Sequence, residues 1–193
     1  LNNSPTLDDS EIILFNGKSL DQWERTDFAG KGEIFINEKG NLVLEMGAEL
    51  SGLHWKGDPL PKSSYEISLQ AKRTLGSDFF CGRTFPFKES HATLILGGWG
   101  GSLIGISSLD DFDASENETG DAYVFEDNQW YDIKLRVTDE EFTVWIDEKS
   151  VIDCEVVGRK VAMRPGEIEM SIPLGLCTFA TTAEIKNMTL RIL

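Results

Sequence analysis

The 193-residue sequence predicts a single all-β domain, built as a sandwich of two antiparallel sheets. Three observations predict this fold class. Apolar and polar side chains alternate with period two in several segments, and turn residues separate these segments at intervals of about 8 to 12 residues. No amphipathic segment is long enough for a helix of more than about two turns. Because there is no linker and no internal repeat, we expect residues 1–193 to form one domain.

The clearest strand begins at Tyr65, where Tyr65, Ile67 and Leu69 alternate with Glu66 and Ser68. A helix would scatter these apolar side chains around its circumference, whereas a strand places them on one face. The same reasoning, with bounding Gly, Pro, Asn and Asp residues, predicts the other strands. They are, in chain order, 12–15, 33–36, 42–46, 65–72, 79–87, 93–96, 103–107, 131–137, 142–146, 151–156, 167–172 and 185–192.

Residues 129–156 are predicted to form an antiparallel meander. Two polar segments of hairpin length, 138–141 and 147–150, separate three alternating segments. The alternation places one set of apolar side chains on the core face: Tyr131, Ile133, Leu135, Phe142, Val144 and Ile146.

Charge and composition exclude several classes of partner. The formal net charge is -15, which makes nucleic acid and anionic membranes poor partners. No apolar stretch is long enough to span a bilayer. Because the chain starts without Met, we expect that a leader was removed and that the protein is secreted, periplasmic or at the cell surface. The cysteines Cys81, Cys154 and Cys177 form no CxxC pair, so we expect buried thiols and no zinc site.

Several segments carry a resemblance to a known family. Residues 14–23 read LFNGKSLDQW, Arg83 closes an FFCGR segment, and residues 129–131 read QWY. Residues 173–176 and 185–191 read PLGL and IKNMTLR. In this order they resemble landmarks of the 3-keto-disaccharide hydrolase domain family, over about residues 12–193. The resemblance implies a concanavalin A-like jelly-roll sandwich that acts on carbohydrate. Where many members carry an acidic strand this chain has residues 91–97, HATLILG, so its acid and base are expected in the 108–120 segment.

The segment 108–120 is the longest irregular stretch and holds a cluster of carboxylates: Asp110, Asp111, Asp113, Glu116 and Glu118. Carboxylates so close together remain solvated, bind a cation, or act as acid and base. All three alternatives stay open. A divalent cation such as calcium would use Asp110, Asp111 and Asp113. A catalytic site would use Glu116 or Asp113 as the base, and Asn117 would bind substrate.

Other candidate residues lie outside this segment. Trp99 stands between glycine pairs, which suits either a sugar-stacking platform or a bend with a core Trp. Trp55 and His54 are candidate sugar-binding residues. His91 and Arg83, at predicted strand ends, are candidates to polarise a carbonyl, although a structural role for each is an open alternative.

Two functions follow. In the first, an enzyme cleaves 3-keto glycosides: the ketone acidifies the C2 proton, one base removes it, and the C1 substituent leaves before water is added. In the second, the same sandwich is a non-catalytic carbohydrate-binding or adhesion module. An enzyme should gather its candidate residues around one pocket, whereas a binding module should leave them scattered beneath an aromatic patch.

Overall fold

Two antiparallel sheets account for most of the regular structure in the computed structural model, which describes residues 10–193. Strands are numbered along the chain. The eight-stranded sheet contains β1 (Glu11–Phe15), β3 (Ile34–Ile36), β4 (Leu42–Leu44), β6 (Tyr65–Gly76), β11 (Tyr131–Val137), β12 (Glu141–Ile146), β13 (Lys149–Glu155) and β15 (Thr181–Ile192). The seven-stranded sheet contains β2 (Trp23–Arg25), β5 (Leu50–Trp55), β7 (Gly82–Phe87), β8 (Ser90–Gly97), β9 (Leu103–Ser107), β10 (Asp121–Ala122) and β14 (Gly175–Phe179).

Each sheet has a defined strand order, and the two sheets pack against each other. The eight-stranded sheet runs β13-β12-β11-β6-β15-β4-β3, with β1 added to β15, and the seven-stranded sheet runs β10-β9-β8-β7-β14-β5-β2. All strand neighbours are antiparallel, and most apolar side chains between the sheets form one large buried cluster. This confirms the predicted all-β sandwich of two antiparallel sheets.

The predicted meander is confirmed, both in its strand register and in the set of side chains that face the core. Ile133 lies opposite Ile146, and Leu135 lies opposite Val144, in the β11–β12 pair. The six side chains predicted on the core face are all buried. On β6, Tyr65, Ile67 and Leu69 are likewise buried, as the alternation requires.

One predicted strand is wrong. Residues Glu167–Ser171 form a 3₁₀ helix, and Met170 and Ile172 are exposed. The segment lies between Gly166, whose φ is 128°, and Pro173, which has no backbone N–H to donate to a neighbouring strand. Instead the Ser171 hydroxyl lies 2.6 Å from Thr84 Oγ1, which fastens the 3₁₀ helix across the outer face of β7.

The cysteines are free and buried, as expected. Burial raises the pKa of the Cys81 and Cys154 thiols to about 11. Among residues 10–193, no helix has the length and apolar character to cross a membrane.

Candidate functional site

A cleft of about 320 Å³ opens on the outer face of the seven-stranded sheet. Its floor and walls are mainly apolar, with polar groups at a few positions. The lining residues are Glu49, Leu50, Phe79, Thr93, Ile95, Trp99, Ser107, Asp113, Arg164, Pro165, Glu167, Ile168 and Phe179.

Strand register explains why these side chains meet. On β8 the side chains of Ala92 and Leu94 enter the core between the sheets, so Thr93 and Ile95 point to the opposite face. Ser107 on β9 lies directly opposite Thr93 and therefore points the same way. The floor of the cleft is thus the outer face of two paired strands.

The Ser107 hydroxyl is an open hydrogen-bonding group at the cleft. Ser107 is only 3% exposed, and its Oγ has no hydrogen-bond partner among the described protein groups. Buried hydroxyls in folded proteins are nearly always paired, because an unpaired one loses its hydration without compensation. A ligand hydroxyl or carbonyl in the cleft would supply that partner.

The 108–120 loop forms one wall because it is fastened to β9. Asn117 Nδ2 donates to the Ile106 carbonyl at 2.8 Å, and Ile106 N donates to Thr119 Oγ1 at 2.8 Å. The buried Ala114 packs on Gly105, where an added Cβ would lie only 3.0 Å from the Ala114 Cβ. The Asn117 amide therefore supports the loop rather than lining the cleft.

Asp113 and Arg164 form the charged centre of the cleft. Asp113 Oδ2 forms an ion pair with Arg164 Nη1 at 2.9 Å, and Asp113 Oδ1 accepts a hydrogen bond from Ala114 N at 2.7 Å. The Asp113 side chain is 19% exposed. The Arg164 guanidinium lies 5.7 Å from the centre of the Trp99 ring, which is half-exposed at the rim.

The other acids of the loop do not converge on a cation. Asp110 pairs with Arg159, and its Oδ1 accepts from Lys160 N at 2.9 Å. Asp111 lies 2.6 Å from Lys160 Nζ, and Glu118 pairs with Arg159. In the part of the chain that the structure describes, no group of three or more acidic, His or Cys side chains is arranged to hold a metal ion. The structure therefore does not bring Asp110, Asp111 and Asp113 together as the candidate calcium site.

Glu116 and Arg83 lie outside the cleft. Glu116 is exposed on the loop, and Arg83 is fully buried between the sheets. Burial lowers the pKa of the Arg83 guanidinium, whose Nη1 donates to the Ile67 carbonyl at 3.4 Å. Because residues of β7 alternate, Arg83 points to the core and its neighbour Thr84 points outward.

The remaining sequence candidates occupy other parts of the sheet. His54 Nδ1 lies 2.8 Å from Thr26 Oγ1, and its Nε2 lies 3.3 Å from a Glu24 carboxylate oxygen. Trp55 is buried edge-on against Trp23, with ring centres 5.3 Å apart, so its face is not available to a sugar. Burial and the nearby Lys62 charge lower the pKa of His91, which does not line the cleft.

Of the sequence candidates, only Asp113 and Trp99 line the cleft, and they do so together, as expected for loops at neighbouring strand ends. The sequence also predicts that the 108–120 loop and residues 97–101 border the largest cleft. This prediction is wrong, since two surface clefts of about 450 and 500 Å³ lie elsewhere. The sequence reasoning missed Arg164, Glu167 and Glu49. The sequence Arg164-Pro165-Gly166 could have indicated this part of the cleft, because Pro-Gly is typical of a turn and Arg164 places a positive charge beside it.

Comparisons with known proteins agree with this fold. The Bacillus subtilis carbohydrate-binding module CBM66 superposes with a TM-score of 0.56 and 15% identity, covering 88% of this chain and 95% of the module. The apo Crh5 transglycosylase gives 0.63 at 10% identity over 94% and 83% of the two chains. The carbohydrate recognition domain of Emp46p gives 0.56 at 15% identity over 91% and 90%.

These similarities establish the fold, with both carbohydrate-binding and carbohydrate-processing proteins among the similar structures. No curated protein sequence matches the chain at a significant level. A family model does match, over residues 10–191, and it covers nearly the whole chain. The chain belongs to the family described as the 3-keto-alpha-glucoside-1,2-lyase-like domain, as its sequence landmarks indicated.

Proposed function

We propose that the cleft at Asp113 binds a 3-keto glycoside and cleaves it by elimination followed by hydration. The observation that carries this proposal is the pairing of one carboxylate with one guanidinium, 2.9 Å apart, beside a half-exposed Trp99. A sugar ring has one apolar face that packs on an indole ring, and its polar groups need donors and acceptors. The open Ser107 hydroxyl adds one more such group.

The chemistry needs one base and one group that stabilises negative charge. Asp113 takes the C2 proton, the C2–H electron pair forms the C1–C2 double bond, and the C1–O bond breaks. Arg164 donates a hydrogen bond to the C3 oxygen, where negative charge develops. The departing oxygen takes a proton from water or from the protonated Asp113. Water then adds across the double bond, so the overall change is hydrolysis to a free 3-keto sugar and an alcohol.

Unoxidised glycosides should not react. Without the ketone, the C2 proton is not acidic, and cleavage would need an acid and a base on opposite sides of the C1–O bond. Asp113 is already bound to Arg164, which suits a single base working beside a cation. The substrate is therefore selected by its chemistry as well as by its shape.

Turnover of a 3-keto glucoside tests the proposal. The elimination product is a conjugated ketone, so its ultraviolet absorbance, with the released alcohol, reports the reaction. Asp113→Asn should lower the rate at least about a hundredfold because the base is lost. Glu116→Gln is the matched control, since it changes an acid of the same loop outside the cleft and should keep the wild-type rate. A loss of rate in Glu116→Gln with none in Asp113→Asn would contradict the assignment.

A non-catalytic sugar-binding role is the second candidate. It is favoured by the dispersal of most sequence candidates away from this cleft, which is the arrangement expected of a binding module. The 2.9 Å ion pair of Asp113 and Arg164 also suits it, because a pre-paired acid and cation can each bind one of two neighbouring sugar hydroxyls. If wild type binds glycans through Trp99 and turns over no 3-keto substrate, this role is correct. Secretion, which would expose either function to extracellular glycans, stays a prediction.

A further inference from the structure

A second cleft, of about 500 Å³, lies on the outer face of the eight-stranded sheet, on the other side of the sandwich. Four of the chain's 18 Lys and Arg residues line it: Lys18, Lys39, Lys72 and Lys186. Among residues 10–193, no Asp or Glu lines this cleft, although the chain carries 33 of them. The charge of its lining residues is thus opposite in sign to the net charge of the molecule as a whole.

Two turns bring the first pair of lysines together. Asn16 Oδ1 accepts from Lys18 N at 2.8 Å in one turn, and Asn37 Oδ1 accepts from Lys39 N at 3.0 Å in the other. Gly17 and Gly40, at φ values of 81° and 80°, form the contact between the turns, and an added Cβ on Gly17 would lie 3.0 Å from the Gly40 carbonyl oxygen. A larger residue there would push the turns apart.

The second pair of lysines is held by an aromatic ring. Lys186 Nζ lies 4.1 Å and Lys72 Nζ 4.9 Å from the centre of the Trp130 ring. Attraction to the ring offsets part of the repulsion between the two ammonium groups. The QWY and IKN segments and the NGK turn, all singled out in the sequence, therefore meet at this cleft rather than at the Asp113 cleft.

Most of this positive charge is uncompensated. Lys72 Nζ lies 3.5 Å from Glu184, a half-buried carboxylate beneath the cleft that also accepts hydrogen bonds from Asn37 and Asn41. The other three lysines, Lys18, Lys39 and Lys186, form no ion pair with any residue in the described range 10–193. A ligand that brought anionic groups would gain three favourable interactions without displacing an existing pair.

We propose that this lysine cleft, lined by Lys18, Lys39, Lys72, Lys186 and Trp130, binds an acidic glycan that carries carboxylate or sulfate groups on its sugar rings. Two of the lysines lie in the turns and two lie over the Trp130 ring, and Asn16, Asn41 and Asn187 line the cleft with them. Amide groups between cations suit hydroxyls between anionic groups. This binding is separate from the function proposed for the Asp113 cleft.

The cleft also continues along the sheet, which favours a polymer over a single sugar. Asn187 is shared with the neighbouring cleft of about 450 Å³, which contains Trp145. The Lys134 ammonium and the Arg136 guanidinium lie 5.5 and 5.1 Å from the centre of the Trp145 ring. Because Asp132 and Glu148 also line this neighbouring cleft, acidic groups are favoured only at the lysine cleft, and a neutral part of the polymer would meet Trp145.

Titration calorimetry with four polymers tests the inference: polygalacturonate for carboxylate, dextran sulfate for sulfate esters, dextran as the neutral glycan, and polyglutamate as a polyanion without sugar. We expect one or both acidic glycans to bind, and to bind more weakly as salt rises because exposed charges are screened. Dextran should not bind at the lysine cleft, and polyglutamate should bind at least about tenfold more weakly than the better acidic glycan. Equal binding of polyglutamate, or binding of neither acidic glycan, would overturn the proposal.

The variant pair Lys18→Ala/Lys39→Ala should weaken glycan binding at least about fivefold, because two exposed charges at the rim are lost. Lys18→Arg/Lys39→Arg should retain it. Lys56→Ala/Lys62→Ala is the matched control, since it removes the same charge from two exposed lysines outside the cleft. An equal loss in this control would show that binding follows overall charge and would contradict the site. Asp113→Asn should leave this binding unchanged, so failure here is distinguishable from failure of the proposed activity.

Discussion

Arg83 illustrates how far a single residue can be interpreted from sequence. A cation closing an apolar strand suggested a functional group, but the strand register turns the side chain inward. Its Nε and Nη2 atoms have no hydrogen-bond partner among the described protein groups. Side chains alternate along a strand, so the sequence places each residue on one of two faces. Only the pairing of β7 with β8 and β14 decides which of these faces packs against the core.

Replacement of Arg83 by Met should leave the fold at least as stable as wild type. The substitution removes two buried donors that have no partner among the described groups, and it loses one hydrogen bond of 3.4 Å. Replacing buried charged groups by apolar side chains of similar volume is often neutral or stabilises the fold by about 1–4 kcal/mol. Thermal unfolding of the purified variant measures the effect.

Arg136→Met is the matched control. Arg136 Nε donates to the buried Glu66 at 2.7 Å, so its removal should destabilise the fold by about 1–3 kcal/mol. A lower melting temperature for Arg83→Met than for Arg136→Met would show that Arg83 has partners essential to the core.

At the scale of elements, the sequence was most informative where one face is buried and the other is wet. The β6, β11 and β12 strands show this pattern, and their facing was predicted correctly. The short strands β2 and β10, and β5 and β14, were missed. β5 and β14 are buried on both faces, so they show no alternation. The cleft wall around Arg164 is irregular and has no periodicity to read.

Ion pairs hold the 108–120 loop to residues 159–164. The free energy of unfolding should therefore depend on the pH at which the carboxylates of the loop become protonated. Arg159, through its hydrogen bond to Glu118, holds the pKa of Glu118 at about 2, below its ordinary value of 4.5. Because the folded pKa is lowered, the stabilisation is present above about pH 4.5 and is lost as the pH falls toward 2.

Arg159→Gln should therefore lower the melting temperature at pH 7 and have little effect near pH 2. The groups are partly exposed, so the difference at pH 7 should be small, about 1 kcal/mol or less. Lys149→Gln removes an exposed charge that has no ion pair among the described residues, and its effect should not change with pH in this way. A difference for Arg159→Gln that stayed constant from pH 7 to pH 2 would contradict the assigned cause.

At the scale of the whole molecule, net charge alone gave an incomplete expectation about partners. The formal charge of -15 argues against polyanions, yet it is an average over the surface. At physiological ionic strength an exposed charge acts over about 8 Å, so a cluster of lysines sets its own local potential. The lysine cleft could not be found from sequence because its residues come from five separate chain segments, which only the sheet brings together.

The two clefts should act independently, since they lie on the outer faces of different sheets. Packed sheets are about 10 Å apart, and effects at sites more than about 7–10 Å apart usually add. We therefore expect the triple variant Asp113→Asn/Lys18→Ala/Lys39→Ala to lose turnover of the 3-keto glucoside as Asp113→Asn does. It should lose acidic-glycan binding as the lysine pair does. Turnover and calorimetry on the same preparations measure both, with Lys56→Ala/Lys62→Ala as the charge control. For each readout, the loss in the triple variant is compared with the loss in Asp113→Asn or in the lysine pair. A difference of more than about 0.5 kcal/mol would mean that one ligand spans both faces or that the sandwich transmits a change between them.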